Sequence, residues 1–180
     1  MEPWLTDLSR LEALYGKPGE TSLAKEIDYL SDDYRAWIEA SPFATLATIG
    51  AGGLDASPRG DRGHLVVVAD SKTLYLPDRR GNNRLDSLRN IIEDPRVALL
   101  FLLPGLGETL RVNGRARLSV NPELCQSLAI KGKVPRSVIV IAVEKVYFQC
   151  ARAVTRSGLW DPAHHLTRGS LPSPAKSWRT

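Results

Sequence analysis

Three arginines and two asparagines fall within the six residues Arg79-Arg80-Gly81-Asn82-Asn83-Arg84. An apolar stretch, Leu74 to Pro77, precedes them, and an amphipathic one, Leu85 to Asp94, follows. Residues of these types at the start of a helix suit one chemistry, the binding of a phosphate group. Guanidinium forks match phosphate oxygens two at a time, Asn can cap the helix, and backbone N–H groups of its first turn face the anion. A run of charge is by itself most often a solvated face. Two further polar sets weigh against that reading: Ser57-Pro58-Arg59-Gly60-Asp61 and Thr109-Leu110-Arg111 stand at the ends of other expected strands. Basic groups delivered by separate strands make an anion pocket more natural than a random surface.

Other chemistries find less support. The histidines are His64, between strands, and the adjacent His164-His165, with no Cys or carboxylate at ligand spacing, so a metal site is not expected. No G-x-S-x-G elbow is present for a nucleophilic serine. Pro104-Gly105-Leu106-Gly107-Glu108 has the glycine spacing of a phosphate loop but lacks the Lys-Ser/Thr and a following helix, and is expected to be a hairpin turn. Cys125 and Cys150 form no CxxC pair and read as reduced thiols. The net charge of +4 fits an anionic ligand. It also raises nucleic acid, through the Arg79–Arg89 and Arg111–Arg117 clusters. Only Tyr75 lies near enough to stack on a base, so nucleic acid is disfavoured as a partner.

The chain that must position these groups has 180 residues, 43% hydrophobic and 24% charged, as a globular domain with its own core requires. No apolar run approaches the roughly 20 residues of a membrane-spanning helix. Met1-Glu2-Pro3-Trp4 lacks the basic and apolar regions of a signal peptide, so a cytoplasmic protein without a membrane partner is expected. The first forty residues read as helical: Leu5 to Tyr15, stopped by Gly16 and Pro18, then Leu23 to Leu30, then Asp32 to Ala40 behind a Ser31 cap. From Phe43 the texture changes to strands and turns. Strands are expected over Phe43–Ile49, Leu54–Pro58, Leu65–Ala69, Thr73–Leu76, Val97–Leu103, Glu108–Val120 and Ser137–Gln149. Val97–Leu103 reads as a strand covered on both faces. Helices are expected from Arg84 to Glu93 and from Pro122, capped by Asn121, to about Ile130. Strands with turns every 8 to 15 residues and only short helices predict a closed or nearly closed antiparallel barrel rather than a parallel sheet.

The order of elements resembles the pyridoxamine 5′-phosphate oxidase-like family of FMN-binding split barrels. The likeness runs from about Phe43 to Trp160 and is strongest in Leu74 to Phe101, where Pro95-Arg96-Val97-Ala98-Leu99-Leu100-Phe101 follows the family's loop and helix. Arg156-Ser157-Gly158-Leu159-Trp160-Asp161-Pro162 resembles a family C-terminal motif. The resemblance implies a mainly β fold with flanking helices, a split antiparallel barrel of Greek-key type. It divides the chain into an N-terminal helical segment (1–42), a flavin-binding barrel (43–160) and a C-terminal tail or arm (161–180).

By the same resemblance Arg59 and Arg84 bind the phosphate of FMN, with Gly60 and Arg79 beside them and loop and cap contacts from Asn82 and Asn83. Thr109 falls where the family often has a glutamine that touches the flavin, and Arg111 lies two residues on. Trp160 is expected near the isoalloxazine ring, contributed by the second subunit of a homodimer whose flavin sits between the chains. Arg111 also reads as a solvent-facing strand residue and Trp160 as a core or interface anchor. The implied function is an FMN-dependent oxidoreductase acting on a small molecule, with no acid or base singled out. The deazaflavin F420 or haem is an alternative cofactor, and a flavin-binding module without turnover an alternative role. The Trp…Arg…Arg pattern that holds pyridoxal phosphate in the true oxidase is not reproduced after Trp160, which argues against pyridoxamine phosphate as the substrate.

Overall fold

A computed structural model describes residues 4–17, 19, 25–63 and 65–171. Seven strands form one antiparallel sheet: β1 (Phe43–Gly50), β2 (Gly53–Gly60), β3 (Val67–Asp70), β4 (Thr73–Pro77), β5 (Arg96–Leu102), β6 (Thr109–Ser119) and β7 (Val138–Gln149). Their order across the sheet is β2-β1-β5-β6-β7-β4-β3. This is the split-barrel fold that the resemblance implies, with the antiparallel pairing that the strand and turn signals anticipate. The alternation in the sequence explains the packing: Ala44 and Leu46 of β1, Val97, Leu99 and Phe101 of β5, and Leu110 and Val112 of β6 point into one buried core. Leu74 and Leu76 of β4 and Ile139, Ile141 and Val146 of β7 complete it.

In β5 the burial alternates. Ala98, Leu100 and Leu102 are only half-buried within a single chain, so the expected cover on both faces is absent from one copy. A bulge in β6 lies at Asn113/Gly114. Glycine is required there, because a Cβ on Gly114 would collide with the Ala142 carbonyl of β7.

Helix α1 (Leu8–Tyr15) is capped by Asp7, whose carboxylate accepts from the Arg10 N–H at 2.9 Å, and buries none of its residues. The helix expected over Leu23 to Leu30 does not form in its described part: Ile27 bridges Val146 at the edge of β7, so Lys25 to Leu30 is not helical. Residues 23–24 and His64 lie outside the described residues, as does the expected tail beyond residue 171. Helix α2 (Asp32–Ala40) starts at Ser31 as expected and buries Tyr34 and Ile38. Phe148 packs against Tyr34 and Trp37, with ring centroids 4.9 Å apart in both pairs. Helix α3 (Asp86–Glu93), α4 (Pro122–Ser127) and α5 (Arg152–Ser157) close the connections. Among the described residues no helix is long and apolar enough to cross a membrane.

Candidate functional site

Helix α3 is fixed against the β1–β2 hairpin from several sides. The Asn90 amide donates to Thr48 Oγ1 at 3.0 Å, the Ala51 N–H donates to Glu93 at 2.7 Å, and the Ser87 hydroxyl donates to Asp55 of β2 at 2.9 Å. Gly50 lies close beside it, where a Cβ would displace the Asn90 side chain from its bond to Thr48. These ties aim the start of α3 into a cleft of about 1580 Å³. The cleft is walled by β2 and the segment after it, by the end of β4 and the loop to α3, and by Ile130 to Arg136. Eight basic side chains line it against four carboxylates, so its field favours an anion.

The start of α3 has no side-chain cap. Leu85, in the capping position, sits in the left-handed region (φ 62°, ψ 12°), and Asn83 is likewise left-handed (φ 59°). Asn82 accepts from the Arg84 N–H at 3.1 Å, within the loop. The expected Asn cap is therefore absent, because both asparagines are used to shape the loop. The N–H groups of the first helical turn are left to the cleft, where they and the helix dipole favour an anion.

Six of the nine residues expected at the site line this one cleft: Arg59, Gly60, Arg79, Asn82, Asn83 and Arg84. They are not equally free. Arg59 is half-buried and donates to the Ser57 hydroxyl at 2.6 Å and the Pro58 carbonyl at 2.9 Å. Burial pulls its pKa below the usual arginine value while Asp78 and Asp55 oppose that shift, and it remains a cation. Arg79 ties two walls together, donating to the Leu128 carbonyl at 2.9 Å and pairing with Asp61 at 3.3 Å. Arg84 is largely exposed and pairs with Asp86.

The other three lie elsewhere in the single chain. Thr109 is buried at the start of β6. Arg111 donates to the Tyr147 hydroxyl at 3.0 Å and stands 5.6 Å from the centre of that ring. Trp160 borders a smaller depression of about 350 Å³ with Gly105, Gly107 and His164, its indole N–H donating to the Leu106 carbonyl at 2.7 Å.

The structure adds a wall that the sequence did not flag. Lys131 (φ 49°) and Gly132 (φ 75°) form a two-residue turn between bridged Ile130 and Lys133, which places Lys131, Lys133 and Arg136 at the cleft. The Lys-Gly pair marks a turn; nothing local says that it faces the arginine loop. That follows from pairing of β4 with β7, which sets Asp78 beside Ser137 through an N–H···O bond of 2.9 Å.

A basic cleft at an uncapped helix start, on a split barrel, defines a class: a small antiparallel barrel with an electropositive pocket beside a helix N-terminus. The sequence profile of the pyridoxamine 5′-phosphate oxidase family matches residues 30–150, and the chain belongs to that family. Flavin binding is a property of the family. No curated protein matches the chain by sequence. Solved structures share the fold. A variant of HupZ from Group A Streptococcus is 19% identical, with a TM-score of 0.54 over 67% of this chain and 99% of that one. A candidate pyridoxamine 5′-phosphate oxidase of Lactobacillus delbrueckii is 20% identical, with a TM-score of 0.53 over 67% of this chain and 95% of that one.

Proposed function

We propose that the chain is an FMN-binding flavoprotein that acts, as a homodimer, as an oxidoreductase on a small molecule. One observation carries the reading: the uncapped start of α3 opens into a net basic cleft lined by Arg59 and Arg84. Such a site fits a phosphate monoester, the group that distinguishes FMN from unphosphorylated flavin. The first-turn N–H groups of α3 and the Arg59 guanidinium hold the phosphate, Arg84 adds charge at the rim, and Asn82, Asn83 and Gly60 shape the backbone around it. Arg79 keeps the walls at their spacing. Bound FMN would supply the electron or hydride transfer itself; the protein binds, orients and shields it. The cleft exceeds the roughly 300–1,000 Å³ of ordinary ligand pockets, which leaves room for a second molecule.

The dimer reading is supported by the outer face of β1 and β5. Phe43, Ala47, Ala98, Leu100 and Leu102 form a half-exposed apolar surface there, of the kind a symmetric partner covers. Thr109, Arg111 and Trp160, remote from the cleft of their own chain, would then serve the cleft of the other.

The test is direct. The purified protein should be yellow or should quench the fluorescence of added FMN. Arg59→Ala should weaken that binding by roughly tenfold or more, since a charge-assisted hydrogen bond contributes about 1.5–3 kcal/mol. A protein indifferent to micromolar FMN would overturn the proposal.

A further inference from the structure

Four carboxylates line the cleft, and three of them are already engaged. Asp55 accepts from the Ser87 hydroxyl, Asp61 pairs with Arg79, and Asp86 pairs with Arg84. Asp78, the residue after β4, differs. It is half-buried, and among the described residues its side chain makes no hydrogen bond and no ion pair within 4.0 Å. Only its backbone is tied, through the N–H donated to the Ser137 carbonyl at 2.9 Å. Its oxygens are not sealed off from the cleft, so this half-buried carboxylate stays open to hydrogen-bond donors of a ligand there.

The charges around it sharpen the point. The groups that act on Asp78 are Arg59 on β2 and Arg136 ahead of β7, both lining the same cleft. Burial nevertheless raises its carboxyl above its ordinary pKa, so the two guanidiniums do not fully compensate its loss of water. A site meant only for anions would gain by having no such group. An unpaired negative charge among arginines admits an anion only when donors on the same ligand offset the repulsion.

We propose that Asp78 is the specificity-determining acceptor of the cleft: its carboxylate takes hydrogen bonds from hydroxyl donors of a phosphorylated polyol and rejects anions that carry none. This rests on the flavin reading, in which the donors belong to the ribityl chain of FMN.

The experiment compares FMN, riboflavin and inorganic phosphate on the wild-type protein and on Asp78→Ala, Asp78→Asn and Arg59→Ala. Flavin binding is read by fluorescence quenching, and phosphate by its competition with FMN. Asp78→Ala should weaken riboflavin roughly tenfold and FMN by a few times less, since loss of the negative charge favours the phosphate; Asp78→Asn should weaken both by less again, because the amide oxygen still accepts. Both variants should let inorganic phosphate compete a few times more strongly. Arg59→Ala should weaken FMN and leave riboflavin nearly unchanged. Equal flavin affinity in wild type and Asp78→Ala would overturn the assignment while leaving the flavin site standing. A loss confined to FMN would overturn it too, since Asp78 would then act only through the phosphate-binding arginines. A wild-type protein that binds neither flavin would bring down the flavin reading itself, and this assignment with it.

Discussion

Helices α3 and α4 both begin behind asparagines, and the two starts are built in opposite ways. At α4 the Asn121 side chain accepts from the Leu124 N–H at 2.9 Å and Pro122 occupies the first turn, so the helix satisfies itself. At α3 the asparagines bend the loop instead, Leu85 takes a left-handed backbone, and no side chain caps the helix. The first is a start optimised for folding. The second gives up a cap and accepts strain, and it faces the basic cleft. Local stability is relinquished at the helix start that opens on the basic cleft.

That contrast can be tested, beginning with the largest effect. Asn121→Ala should cost about 1 kcal/mol of stability and lower Tm by roughly 2–4 °C in thermal denaturation, with FMN affinity unchanged. No loss would mean that the α4 cap contributes nothing and that the two starts are energetically alike. Leu85→Asn should do the reverse, raising stability by about 0.5–1 kcal/mol, because Asn tolerates the left-handed conformation that Leu resists. An unchanged Tm would show that α3 carries no strain at that residue.

The smallest effect concerns Asp78, whose folded-state pKa lies above its unfolded one. Folding therefore disfavours the ionised form. The penalty is absent below the unfolded pKa and grows as pH rises through the folded one. Asp78→Asn should raise the Tm of the ligand-free protein by about 1–2 °C at pH 7, with the gain fading in acid below the carboxylate range. A constant gain at every pH would assign it to packing rather than charge.

Much of the architecture was legible because it is local. Alternating apolar residues marked the strands, Ser71-Lys72 turned β3 into β4, and Ser31 and Asn121 announced α2 and α4. Lys25 to Leu30 misled because its apolar spacing suits a helix, whereas pairing of Ile27 with Val146 draws the segment out along the sheet. That Arg59 and Arg84 share one cleft was legible from the resemblance and from their places at a strand end and a helix start. The engagement of Arg79 was not, because its partners Asp61 and the Leu128 carbonyl come from distant segments. The same applies to Asp78 and the Lys131–Arg136 wall. Thr109, Arg111 and Trp160 stand apart from the cleft in one chain, and no local pattern measures that separation.

The cleft draws on residues 55–62, Leu65, 76–88 and 130–136, and β2 and β4, the strands that wall it, are separated by β1, β5, β6 and β7 in the strand order. No single hairpin contains it. Its walls meet only after pairings across most of the sheet have formed, and such long-range closures are slow to make during folding. The cavity is thus among the last features to appear in a refolding chain, and a fluorescent guest would serve as a clock for the completed topology.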